Sequence, residues 1–82
     1  MIKTFEEFKE EILSQLPSRP HNWRKGQFVF NYIDYYYSIA RYVQFTEDID
    51  CFHDDGDIDS FIIACYRILR EQHPDRLIKD EE

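Results

Sequence analysis

Polar residues recur along residues 23–42, WRKGQFVFNYIDYYYSIARY, at spacings of three and four that form one stripe of an α-helix. The stripe is Arg24, Gln27, Asn31, Asp34 and Ser38. Gly26, Val29, Phe30, Ile33, Tyr36, Tyr37 and Ala40 fill one apolar arc beside it. Phe28, Tyr32, Tyr35 and Ile39 fill a second. A helix apolar around most of its circumference is buried, with neighbours on at least two sides. Asn22 is a plausible N-cap for it. Arg24 and Lys25 run against the helix dipole, so the start can lie as early as Pro20. Gly26 costs about 1 kcal/mol relative to Ala inside a helix, which points to close approach of another segment.

Two flanking helices follow from the same reading. Thr4 and Glu7 form a capping-box pattern, and Phe5, Phe8, Ile12 and Leu16 recur at helical spacing until Pro17. In the last helix Ile58, Phe61, Ile62, Cys65 and Leu69 make the buried stripe, with Asp55 or Asp57 as cap and Pro74 as the stop. Residues 38–45 admit three readings: continuation of the central helix, a short helix restarted at Ser38, or an extended segment. A helix ending near Tyr42 is favoured. Residues 46–57 then form an irregular acidic connection, and residues 75–82 a frayed tail.

Length and composition set the scale. Eighty-two residues make one domain with a small core, and an aromatic content of 17% supplies large apolar units. The formal charge of −7 opposes direct binding to nucleic acid or to an anionic membrane. No apolar run approaches the ~20 residues of a membrane span, and the amino terminus lacks a signal-peptide core. Cys51 and Cys65 do not form the dense framework of small secreted domains, so a cytoplasmic protein with free thiols is expected.

Residues 47–59 carry seven carboxylates in 13 residues, among them Asp50, Asp54, Asp55, Asp57 and Asp59. Aligned with a calcium-binding EF-hand loop, Gly56, Ile58, Asp55 and Asp59 fall on matching positions. Cys51, His53 and Ile62 occupy three principal ligand positions, including the one that needs a bidentate carboxylate. A solvated acidic cap on the last helix is the simpler reading. Cys51, His53 and Cys65 supply only one short-spaced pair where a zinc site needs two. A Cys–His nucleophile would lack an orienting third group. No phosphate-binding loop, nucleophile elbow or HExxH motif is present.

Residues 24–31, RKGQFVFN, and residues 50–55, DCFHDD, followed by Ile58 and Phe61, resemble a loose group of short bacteriophage and mobile-element reading frames. Their pattern is Arg-x-Gly-Gln-x-x-Phe-Asn, then Asp-(Pro or Cys)-Phe-(Tyr)-x-Asp ahead of a last helix. Arg24, Gly26, Gln27, Phe30, Asn31, Asp50, Phe52 and Asp55 match it, whereas His53 stands where an aromatic is usual. The resemblance implies a bacterial or phage cytoplasm and no particular activity or cofactor. It also implies an acidic loop folded back on the start of the central helix, with Arg24 reaching Asp50 or Asp55.

The expectation is a small all-α bundle of three main helices with the central one sandwiched. The expected role is a non-enzymatic protein–protein interaction module without cofactor, metal, nucleic acid or membrane. Its candidate contact residues are Phe28, Tyr32, Tyr35 and Ile39, with Arg24, Gln27 and Asn31. The partner is another protein or a second copy in a homodimer. The alternative is an acidic decoy, its five aspartates occupying a basic nucleic-acid-binding site on a host protein. A divalent-metal protein or enzyme is the third class.

Overall fold

A computed structural model describes residues 1–79 of the chain. They form four α-helices: α1 (Phe5–Leu13), α2 (Lys25–Tyr37), α3 (Ala40–Glu47) and α4 (Ile58–Gln72). Short 3₁₀ turns occupy Leu16–Ser18, Asp55–Asp57 and Pro74–Leu77. The only strand-like pairing among the described residues is an antiparallel bridge between Ile2 and Ile78. The fold is all-α.

The capping box starts α1 as its residue types dictate. The Glu7 amide donates to Thr4 Oγ1 at 3.1 Å, and the Thr4 amide donates to the Glu7 carboxylate at 2.8 Å. The helix ends at Leu13 rather than Leu16, and Pro17 sits inside the following 3₁₀ turn. Phe8 and Ile12 are fully buried. Tyr37 meets Phe8 edge-on, and Tyr66 packs beside Phe5 and Phe8.

The expected central helix breaks in two. Ser38 takes a left-handed conformation, φ 55°, and α3 begins two residues later. One residue out of the helical region redirects the chain and resets the phase of the wheel. Three expected helices therefore become four. Ile39, placed by the wheel on the second arc with Tyr35, instead turns into the core at 3% exposure. Asp48, φ 57°, ends α3 in the same way.

α4 buries Phe61, Ile62, Ala64, Cys65, Ile68 and Leu69, and Phe61 stacks at a tilt on Phe30 of α2. Ile58 is only partly buried. The helix stops at Gln72, ahead of Pro74. Residues 75–79, expected to fray, are docked. Leu77 is fully buried, the Lys3 amide donates to the Leu77 carbonyl, and the Lys79 amide donates to the Met1 carbonyl. Burying Leu77 and pairing these backbone groups favours an ordered end. The rest of the expected tail, residues 80–82, lies outside the described residues.

α2 buries one arc of its surface among the described residues. Val29, Phe30, Ile33 and Tyr37 enter the core with Gly26, while Tyr35 and Tyr36 face outward. α1, α3 and the turns at Leu16–Ser18 and Asp55–Asp57 pack against this helix, and its outer face stays open among the described residues.

Candidate functional site

The outer face of α2 carries a continuous run of rings. Phe28 and Tyr32 have centroids 5.9 Å apart, Tyr32 and Tyr36 4.6 Å, and Tyr36 and Tyr35 4.8 Å. Trp23, Gln15, Ser18 and Asn31 line an open groove of ≈ 470 Å³ together with these four rings. Tyr35 is 79% exposed and Tyr36 61%. Among the described residues, no charged side chain lines the groove. The connection before α2 holds Trp23 in place. Arg19 donates to the Trp23 carbonyl at 3.0 Å and to the Leu16 carbonyl at 3.1 Å.

Behind the groove lies a polar cluster that spacing within one helix did not suggest. Glu11 of α1 accepts from Tyr32 at 2.8 Å and from Tyr37 at 2.9 Å, and Lys3 reaches it at 2.7 Å. Lys3 also donates to the Tyr37 hydroxyl oxygen at 2.7 Å. Burial works to raise the Glu11 pKa, but the hydrogen bonds from Lys3, Tyr32 and Tyr37 outweigh it and hold the carboxyl below its usual range. Burial and the Glu11 carboxylate push the Tyr32 phenol well above its ordinary value. The carboxylate stays charged and both phenols stay protonated, so the cluster joins α1 to α2 through one anion. One glutamate on α1, two tyrosines five apart on α2 and a lysine ahead of α1 gave no pattern for a sequence reading to find.

The polar stripe of α2 does not act as one ladder. Arg24 donates to the Phe52 carbonyl and lies 4.0 Å from Asp55. Gln27 accepts from the Arg24 amide at 3.4 Å. Asn31 joins the aromatic groove, Asp34 faces Arg41 at 3.7 Å, and Ser38 makes the turn.

The acidic loop folds back on the start of α2. The Gly26 amide donates to Asp55 Oδ1 at 2.9 Å, and the Cys51 thiol donates to the Gly26 carbonyl at 3.4 Å. Asn22 is not the cap. The helix begins after Arg24, and Asp55, 29 positions beyond Gly26, satisfies one of its orphan amides. A carboxylate there also offsets the two cations of the first turn. Asp54 accepts from the Gly56 amide at 2.9 Å, whereas Asp57 stands at the N-cap of α4 without a side-chain capping bond. Asp50 accepts from Gln44 at 3.0 Å and pairs with His53 at 2.8 Å, which holds its pKa down. Asp59 points elsewhere, beside Phe5, Lys9 and Ile62. Of the five aspartates, Asp50, Asp54 and Asp55 each accept hydrogen bonds from a different part of the chain.

Cys51 and Cys65 are buried free thiols. Burial, reinforced by Asp50 and Asp57, pushes the Cys51 thiol up to about 12, and burial raises Cys65 as well. A thiol raised this far is a poor nucleophile at neutral pH. Among the described residues, no group of three or more His, Cys, Asp or Glu side chains is placed to hold a metal ion. No helix of the described residues is long and apolar enough to cross a membrane.

Comparison with protein-family models, with curated proteins and with solved structures finds no match.

Proposed function

We propose that this chain is a non-enzymatic protein–protein interaction module and that its contact surface is the outer aromatic face of α2. The observation that carries this reading is the exposure of Tyr35 and Tyr36, 79% and 61%, within a ring-lined groove that no charged side chain of the described residues lines. Aromatic residues are enriched, and charges depleted, at the centres of protein interfaces. Each exposed ring joins an apolar body to a hydroxyl that can pair with a partner's backbone. Trp23 and Asn31 add a ring and an amide to the same surface.

Phe28 and Tyr32 remain contact residues in this proposal, and Trp23 and Tyr36 join them. Arg24 and Gln27 belong to the loop-to-helix junction instead. The acidic-decoy alternative has less support, because Asp50, Asp54 and Asp55 already serve internal hydrogen bonds. The resemblance of residues 24–31 and 50–55 to phage and mobile-element reading frames makes an accessory role in such a system the proposed context.

The test is paired capture from a bacterial lysate. Tyr35→Glu should abolish retention of a protein that the parent retains. Phe45→Glu, at a site 87% exposed on α3, should leave it unchanged. Undiminished capture by Tyr35→Glu of a protein that the parent retains overturns the assignment of the surface.

A further inference from the structure

We infer that the aromatic face of α2 docks a second copy of the same chain, in a two-fold pairing that sets groove against groove. This rests on the reading of that face as a contact surface and names its occupant.

Charge is the first argument. Each copy carries a formal charge of −7, so two copies repel over most approaches. They can meet where the local side chains are neutral, and the lining of this groove contains only aromatic, amide and hydroxyl side chains. The polar members, Asn31 and Gln15, each present donors and acceptors together. A surface of that kind is self-complementary, which a two-fold contact requires, because the same patch supplies both sides. A surface of one charge sign is not.

Area is the second argument. A buried aromatic side chain covers roughly 150–250 Å², so Tyr35 and Tyr36 at their observed exposures bring a few hundred Å² together. The partly exposed Trp23, Phe28, Tyr32 and Asn31, with the exposed Gln15 and Ser18, extend the patch. Specific interfaces bury about 800 Å² per partner, and weaker ones start below about 600. A groove-to-groove dimer falls at the low end of that range. The expected pairing is reversible, with a dissociation constant on the order of micromolar to tens of micromolar.

The sign of its salt dependence distinguishes this contact from an ionic one. Screening weakens repulsion between two acidic copies, so a neutral aromatic contact tightens as salt rises. Pairing of the acidic loop with basic residues such as Arg24 and Lys25 of another copy would loosen instead.

Sedimentation equilibrium of the full chain, at about 50 mM and about 500 mM sodium chloride, reads both mass and salt response. The parent should shift from monomer to dimer with rising concentration, and do so at severalfold lower concentration in the higher salt. Tyr35→Glu should remain monomeric in both salts, with a circular dichroism spectrum and melting curve like the parent's. Phe45→Glu should dimerise like the parent. Three results overturn the inference: a parent monomeric to about 1 mM in high salt, a dimer that loosens with salt, or a dimer that survives Tyr35→Glu and Tyr36→Glu together. A monomeric parent that still captures a different protein through Tyr35 removes the second copy and leaves the contact surface standing.

Discussion

The Cys51 carbonyl oxygen occupies the space in which a side chain on Gly26 would begin. A Cβ built at Gly26 overlaps that oxygen and lies 2.9 Å from Asp55 Oδ1. Gly26 has an ordinary helical backbone, and among the described residues no glycine has a positive φ. Its requirement is therefore space alone. The acidic loop packs directly on the helix backbone, and the glycine is the vacancy it packs into.

Gly26→Ala should accordingly destabilise the protein, despite the better helix propensity of alanine. The loop has to move off α2, at a cost of about 1–3 kcal/mol from overpacking together with the strained Gly26–Asp55 hydrogen bond. Urea denaturation of parent and variant measures it. A neutral or stabilising substitution would mean that the loop is not held against α2.

The two aspartates that the sequence offers equally as caps should part company. Asp55→Ala removes the acceptor for the Gly26 amide and the carboxylate beside Arg24, and should cost about 1–2 kcal/mol. Asp57→Ala removes no side-chain capping bond and should stay within about 0.5 kcal/mol of the parent. Equal losses in thermal melts would contradict this division of labour.

Glu11 should make stability fall in acid. Its folded-state pKa lies below the ordinary 4.5, so its contribution is fully present above that pH and drains away as the pH falls through the lowered value. Lys3 contributes at the other extreme. Its pKa is raised from 10.5 because hydrogen bonds to Glu11 and Tyr37 outweigh the effect of burial, so its share persists below 10.5 and is lost above the raised value. Glu11→Gln should cost about 1–2 kcal/mol at neutral pH, with side chains only about a quarter exposed at the pair. The gap between parent and variant should narrow as the pH falls below 4.5 and through the lowered value. A gap of constant size across that range would show that the carboxylate's charge contributes nothing.

Ser38→Gly should stabilise. Serine at φ 55° bears a left-handed penalty that glycine does not, and the gain should be about 0.5–1 kcal/mol after the entropy glycine adds to the unfolded chain. A rise in melting temperature without a change in helical content is the expected signature. A drop would assign the Ser38 side chain a contact that the backbone conformation does not reveal.

Ser38 also marks where the periodic pattern stopped being informative. A wheel drawn from residue 23 stays in phase only while the backbone stays helical, so it placed Val29, Phe30 and Ile33 correctly and misplaced Ile39, whereas Tyr36, in phase at the edge of the same arc, is 61% exposed. The all-α class, the Thr4–Glu7 cap, the buried stripe of α4 and the close packing at Gly26 were legible, because each depends on neighbours within a turn or on a missing side chain. What the pattern could not carry was the long-range pairing of polar groups. Asp55 capping α2 across 29 residues, and Glu11 collecting Lys3, Tyr32 and Tyr37, depend on which segments meet. The tail failed for the same reason. Leu77 and Ile78 read as a short apolar pair in a charged tail until the amino terminus is laid beside them.

That last pairing governs how the molecule answers to force. The bridge at Ile2 and Ile78 is antiparallel, with Met1 and Lys79 hydrogen-bonded at its open end. A load applied through the two ends therefore meets these bonds one after another, as a zipper does, instead of all at once in shear. The first event on stretching should be a low-force detachment that frees Leu77 while α1 to α4 stay packed, visible as an early small extension in an optical trap. Neighbours joined in tandem through these ends would be linked by a clasp that yields before the helices do.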